Sequence, residues 1–174
     1  MTLDSAKLKI LNYPHPALRQ TAQPVPELTD QVRQVALRML QLMHEAPGVG
    51  LAAPQVGINW CLFVSNHTQD PEDDLVFINP TLSEPSKETV EFEEGCLSLP
   101  EIRGAVRRPA GITIEALNLK GKPFKMTSDE LPARIWQHEY DHLKGVLIID
   151  LMGMLDRRAN REALDELERE AANQ

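Results

Sequence analysis

The sequence predicts an α+β fold, built as one domain over residues 1–174. Short apolar or alternating segments of strand character are mixed with two or three stretches of helical periodicity. These segments do not alternate regularly, as the strands and helices of a doubly wound parallel sheet would. With 174 residues, of which 42% are hydrophobic, the chain can bury one sizeable core, and its sequence contains no internal repeat or linker.

The first long helix is predicted over residues 30–45. Thr29 or Asp30 can cap its start, and a Pro-Gly pair at residues 47–48 ends it. The apolar residues that recur at helical spacing are Val32, Val35, Met39 and Met43. Before this helix, four prolines punctuate residues 14–26, which predicts an extended segment that wraps the surface.

Strands are predicted where apolar residues run together or alternate with polar ones. All five of these segments follow a Gly/Ala-rich loop at residues 48–57. The predicted strands are residues 60–65 and 75–79 (buried), 84–94 (an edge strand or hairpin), 112–117 (half-buried) and 124–126.

Two further helices are predicted in the last third of the chain. A cap within residues 127–129 begins one of them, which ends near residues 144–145 at a glycine. The tail, at about residues 154–172, carries Leu164 and Leu167 among alternating charges. This pattern predicts an amphipathic C-terminal helix as an appendage to the domain.

Charge and hydropathy exclude several classes of protein. A net charge of −8 argues against sequence-independent binding to DNA or RNA, which requires a basic surface. No apolar run approaches the length of about 20 residues needed to span a membrane, and the N-terminus lacks the apolar stretch of a signal peptide. Two cysteines in a chain of this size are consistent with a reducing compartment. We therefore expect a cytoplasmic protein without a membrane span.

The most informative motif is the H-E-x-x-H pattern from His138 to His142. Residues four apart lie nearly above one another on a helix, so both imidazoles can face one metal ion. Glu139, about 100° round the helix, can reach a water molecule at that ion and serve as a general base. The pattern predicts a hydrolytic metal site.

The third ligand decides which chemistry the site performs, and several candidates remain. One class of metallopeptidase requires a histidine at position 148, where this chain has Ile148. A second class takes a glutamate from a later helix, and Glu162 or Glu166 could serve. Cys96 is a stronger candidate, because glycine and serine flank it, whereas Cys61 lies in an apolar run and fits a buried hydrophobe.

Three separated segments resemble the signature motifs of the peptide deformylase family. They are GVGLAAPQ at residues 48–55, EGCLS at residues 94–98 and QHEYDHLKG at residues 137–145. Their order and approximate spacing are also similar, and the likeness extends over residues 10–151. The resemblance implies antiparallel sheets that surround a central helix bearing the H-E-x-x-H motif. It also implies removal of the formyl group from the N-terminal formylmethionine of nascent polypeptides.

Carried over by position, the resemblance implies roles for six residues. Cys96, His138 and His142 match the metal ligands. Glu139 matches the general base. The side-chain amide of Gln55 and the backbone N–H of Leu97 match the donors to the oxyanion. Coordination chemistry alone would favour zinc, whereas the resemblance implies Fe(II), with Zn, Ni or Co as possible replacements.

The resemblance also implies a substrate-binding surface for an N-formylmethionyl peptide. The matching positions are Gly48, Val49, Gly50, Phe92, Arg103, Leu131 and Ile135. Arg134 departs from a family position that is often apolar. Transient association with ribosomes is a further expectation, although the tail from residue 154 has four arginines against six acidic residues. An inactive relative that only binds its ligand is the remaining alternative.

Overall fold

Seven strands form two antiparallel sheets in this computed structural model, which describes residues 4–173. The larger sheet has five strands in the order β1-β2-β3-β6-β7, and β4 and β5 form the smaller sheet. The strands are β1 (Gly50–Ala52), β2 (Leu62–Ser65), β3 (Leu75–Ser83), β4 (Thr89–Cys96), β5 (Leu99–Pro109), β6 (Ile112–Leu117) and β7 (Pro123–Ser128). The predicted α+β class with antiparallel sheets is confirmed.

Helix α1 (Asp30–Glu45) ends where the sequence predicted, and its N-cap is Thr29, one of the two predicted candidates. The Thr29 hydroxyl accepts a hydrogen bond from the backbone N–H of Val32, which satisfies one of the free donors in the first turn. All four residues of the predicted apolar face are buried, and they belong to the core between this helix and β1–β3.

Helix α2 (Leu131–Leu143) carries the H-E-x-x-H motif and packs across the five-stranded sheet. Trp136 is almost completely buried against Phe77, with ring centroids 6.0 Å apart. Phe77 in turn stacks on Phe63 of the neighbouring strand at 4.6 Å. These aromatic contacts fix the position of α2 on the sheet, and therefore the position of its opposite face.

The β4–β5 hairpin differs most from the predictions. Its first strand overlaps the predicted edge segment and extends two residues beyond it, but the 11-residue β5 was not predicted. Leu99, Ile102 and Val106 of β5 are buried in a core with the C-terminal segments. Three arginines in this strand mask its alternation, and one of them, Arg108, is itself buried.

Several boundaries are also corrected. The predicted loop at residues 48–57 contains β1 and a 3₁₀ turn, Ala53–Val56, because its small residues allow close packing. Strand β3 continues to Ser83 through an irregularity in its pairing with β6. The cap predicted within residues 127–129 is wrong, since β7 extends to Ser128 and the N-cap of α2 is Glu130.

The terminal segments enclose the hairpin. The N-terminal segment contains the 3₁₀ turns Ser5–Lys7 and Pro16–Arg19. The predicted C-terminal helix is interrupted at Asn160, whose side-chain amide donates to the Arg103 carbonyl at 2.7 Å. The C-terminal helices are therefore α3 (Ile148–Leu151), α4 (Met154–Ala159) and α5 (Arg161–Ala172). Across residues 4–173, no helix has the length and apolar character that a bilayer crossing requires.

Candidate functional site

Cys96, His138 and His142 converge at the face of α2 opposite the aromatic core. The two histidine Nε2 atoms lie 3.2 Å apart, and the Cys96 Sγ atom lies 3.4 Å from Nε2 of His142. All three candidate ligand atoms lie within 4.8 Å of one another. The histidines come from successive turns of α2, and the cysteine from the end of β4. The two elements therefore meet at one point.

The donor set fits a divalent transition metal. Nitrogen ligands at about 2.0–2.1 Å and a sulfur ligand at about 2.3 Å from one tetrahedral ion would lie about 3.3–3.6 Å apart, close to the two shortest separations here. The Nδ1 atom of His138 is 2.9 Å from an oxygen of Glu94, so an Nδ1–H donor leaves its Nε2 lone pair free. Within residues 4–173, the group does not include Glu162 or Glu166, which are exposed on α5.

Glu139 lies beside this group, on the same helix, and is 4% exposed. Burial raises the pKa of its carboxyl from 4.5 to about 7, against the opposing effect of His138. Its Oε2 atom is buried without a hydrogen-bond partner in the described part of the chain. A Cβ atom at Gly50 would collide with this carboxylate, so glycine is required for the close approach of β1 to α2.

Gln55 is 1% exposed and its amide is oriented by three contacts. Its Oε1 atom accepts from the backbone N–H of Ala52 at 2.8 Å. Its Nε2 atom donates to the Ser98 hydroxyl at 3.1 Å and approaches Cys96 Sγ at 3.5 Å. Because the oxygen faces the backbone, the NH₂ group is directed toward the metal-ligand group.

A charged network behind His138 was not predicted from the sequence. Arg108 donates two hydrogen bonds to Glu94, at 2.6 and 3.0 Å, and one to Asp141, at 2.7 Å. Burial alone would raise the pKa of Glu94, but the bonds from His138 and Arg108 lower it to about 2. Glu94 belongs to a recognised motif, whereas nothing around Arg108 in the sequence marked it.

Arg134 extends the same network from α2. Its guanidinium donates to Glu94 at 2.7 Å and to the carbonyls of Val106 and Val90 at 3.0 and 2.7 Å. The group also lies over the ring of Phe92, 5.7 Å from its centroid. Arg134, the residue that departs from an often apolar family position, therefore holds α2 against both strands of the hairpin.

A cleft of about 390 Å³ opens at this point between α2, β1 and β4. It is lined by 12 of the 13 site residues expected from the sequence; the other, His142, lies behind His138. The 12 are Gly48, Val49, Gly50, Gln55, Phe92, Cys96, Leu97, Arg103, Leu131, Ile135, His138 and Glu139. Ile135 is 5% exposed, whereas Phe92 and Leu131 are 60% and 49% exposed at the rim. Arg103 is also exposed, 3.9 Å from Glu93.

Comparisons with known proteins agree with one another. Residues 7–158 match the family described as polypeptide deformylase. The chain is 44% identical over 165 residues to the peptide deformylase of Acinetobacter baumannii strain SDF, covering 95% of this chain and 94% of that one. It is 40% identical over 167 residues to the peptide deformylase of Pseudomonas aeruginosa, covering 96% and 99%.

Solved structures give the same result. A crystal structure of a plant peptide deformylase 1B superposes with a TM-score of 0.93 at 37% identity, covering 99% of this chain and 95% of that one. The peptide deformylase of Plasmodium falciparum superposes with a TM-score of 0.92 at 37% identity, covering 95% and 98%. These likenesses extend over the whole fold, including the elements that carry the cleft.

Proposed function

This chain belongs to the polypeptide deformylase family, enzymes that remove the N-formyl group from formylmethionyl peptides, and we propose that the cleft between α2 and β4 is its active site. The single observation that carries this proposal is the convergence of Cys96 with His138 and His142 beside the buried carboxylate of Glu139. The metallopeptidase alternative has no such support, because Glu162 and Glu166 lie on an exposed helix outside this group.

Cys96, His138 and His142 would hold one divalent ion, for which we propose Fe(II), with Zn, Ni or Co as possible substitutes. A thiolate and two imidazoles suit any of these ions. When bound, the ion would act as a Lewis acid toward the formyl oxygen and would lower the pKa of a water molecule. Glu94 would keep His138 in the tautomer that presents Nε2.

Glu139 would accept the proton of the attacking water and pass it to the departing amine nitrogen. Burial raises the pKa of this carboxyl toward neutrality in the metal-free site, the direction that suits a group which both accepts and donates a proton. The reaction consumes one water molecule and releases formate and a free N-terminal amine. Within residues 4–173, Oε2 has no hydrogen-bond partner, so this atom is available to the reactants.

Gln55 would donate its NH₂ group to the oxyanion that forms on the formyl carbon. Its orientation is fixed before substrate binds, because Oε1 is held by the backbone of Ala52. The backbone N–H of Leu97 would be the second donor. The side chain of Leu97 packs closely over Gly48, where a Cβ atom would come within 2.6 Å of it.

The substrate backbone would pair with the segment from Gly48 to Gly50, and the methionine side chain would enter the apolar part of the cleft. Phe92, Leu131 and Ile135 would contact that side chain, since all three line the cleft. Val49 would contact the peptide at the mouth. Arg103, exposed at the rim, would contact the peptide backbone beyond methionine.

The decisive experiment measures formate release from formyl-Met-Ala-Ser by anaerobically purified, iron-loaded protein. We expect turnover by the wild type and a loss of about 10²–10⁴-fold in Glu139→Ala with unchanged metal content. Glu91→Ala is the matched control, because Glu91 is an exposed carboxylate that pairs with Arg107 on the hairpin. An inactive wild type would overturn the proposed function, and an active Glu139→Ala would overturn the mechanism.

We also propose that the chain acts as one catalytic domain in the cytoplasm and associates transiently with ribosomes. Leu167 of α5 is buried in the same core as β5, which supports a single domain. Exposed Arg157, Arg158 and Arg161 could contact ribosomal RNA. Co-sedimentation with ribosomes at low salt tests the association, and no binding there would exclude it.

A further inference from the structure

A wall at the rim of the cleft separates it from a second cavity of about 320 Å³. Phe92, Leu131 and Arg134 line both spaces, so these three side chains form a shared wall. The remaining lining of the second cavity is largely apolar, with two acidic residues at its edge, and consists of Val90, Pro109, Ala110, Asp129 and Glu130.

The three wall residues differ in how firmly they are held. Phe92 and Leu131 are apolar and largely exposed. The Arg134 side chain is only 14% exposed, and its guanidinium donates to Glu94, Val106 and Val90. Because the ring of Phe92 lies against that guanidinium, the arginine also restricts the phenylalanine. Arg134 is thus the anchored member of the wall.

Displacing Arg134 would be costly. The carbonyls of Val106 and Val90 would lose a charged donor, and Glu94 would lose one of its cationic partners. An apolar side chain long enough to reach the wall cannot replace those hydrogen bonds. The wall therefore opposes any substrate side chain that extends beyond the cleft.

We propose that Arg134 is a specificity-determining residue, which limits the length of the substrate's first side chain to that of methionine by closing the cleft toward the second cavity. The proposal rests on the proposed function, in which that side chain enters the apolar part of the cleft. The substrates that Arg134 would exclude are N-formyl peptides whose first residue carries an unbranched apolar side chain longer than that of methionine.

The test compares kcat/KM for two formyl peptides that differ in their first residue, methionine or 2-aminooctanoic acid, whose side chain is two carbons longer than that of norleucine. In Arg134→Ala we expect the ratio of 2-aminooctanoyl to methionyl substrate to rise at least about tenfold, since one methylene is worth about tenfold or more in such pockets. Arg107→Ala, which removes an exposed arginine of the same hairpin, should leave the ratio unchanged.

Phe92→Ala provides a second test that does not depend on the folding of the arginine variant, because Phe92 is largely exposed. It removes the ring that lies against the guanidinium and should raise the same ratio. A purely structural role of Arg134 would lower both rates together and leave the ratio unchanged. Unchanged ratios in Phe92→Ala and in any active Arg134→Ala would overturn the proposal, whereas a wild type inactive toward the methionyl substrate would overturn the proposed function instead.

Discussion

The Nδ1 atom of His138 lies 2.9 Å from Oε2 of Glu94, and this contact joins the helix of the candidate metal centre to the hairpin that supplies its thiol. Glu94 is 7% exposed and is also bound by Arg108, so its position is determined independently of the histidine. The orientation of the imidazole therefore depends on a charged network outside the ligand set.

Replacing Glu94 tests that dependence. Glu94→Gln removes the carboxylate charge and leaves His138 a single neutral acceptor oxygen that Arg108 also requires, so we expect this variant to bind zinc about 10–100-fold more weakly, as measured by competition with a chelator. Glu91→Gln on the same strand is the control, because that carboxylate is exposed. Equal affinities in wild type and a folded Glu94→Gln would show that the network does not orient the ligand.

The raised pKa of Glu139 predicts that the free energy of unfolding of the metal-free protein decreases as the pH rises. Its folded-state pKa of about 7 exceeds the unfolded value of 4.5, so ionisation destabilises the fold increasingly from pH 4.5 to about 7. Glu139→Gln should therefore be more stable than wild type at pH 8, by about 3 kcal/mol, with the difference shrinking toward pH 5. Urea unfolding with a chelator present measures this. A pH-independent difference would contradict it.

Gln55→Ala should separate transition-state stabilisation from metal binding. We expect kcat to fall by about 10²–10³-fold, the usual cost of one oxyanion donor, while the metal content stays unchanged. Gln41→Ala, on the exposed side of α1, should have no effect on kcat. If the Gln55 variant lost metal and activity in parallel, its amide would be acting on the ligands rather than on the oxyanion.

Gly50→Ala places a methyl group against the Glu139 carboxylate. We expect the carboxylate to be pushed from its position, with a loss of at least about tenfold in kcat, because a small misplacement of a catalytic group is costly. Gly153→Ala is the matched control, since in the described part of the chain its added Cβ has no neighbour within 4 Å apart from the adjacent residues. Near-normal turnover in Gly50→Ala would mean that Glu139 tolerates displacement.

The elements that could be predicted from the sequence have strong local signals. Helix α1 combines a threonine cap with four apolar residues at helical spacing, and strand β6 alternates cleanly, so both were predicted with their observed bounds. Strand β5 could not be recognised, because its inward-facing Arg108 is stabilised by Glu94 and Asp141 from other elements. A buried arginine has no local signature; only its long-range partners explain it.

The residues of the candidate site were likewise predicted only in part. The H-E-x-x-H spacing on a helix predicted that His138 and His142 would face one point. Cys96 was the stronger candidate for the third ligand because of its glycine and serine neighbours, and the family resemblance implied its ligand role. The hydroxyl of Ser98 and the guanidinium of Arg134 were not predicted as contacts, because their partners lie about 40 residues away in the chain. Local pattern identifies the reactive groups, while tertiary packing decides which groups hold them in place.

The most direct test of the central claim is X-ray absorption spectroscopy at the metal edge of the zinc-loaded protein. We predict one sulfur ligand at about 2.3 Å and two nitrogen ligands at about 2.0–2.1 Å, with the sulfur contribution lost in Cys96→Ser and retained in Cys61→Ser. A wild-type spectrum with only nitrogen and oxygen ligands, unchanged by Cys96→Ser, would contradict the account.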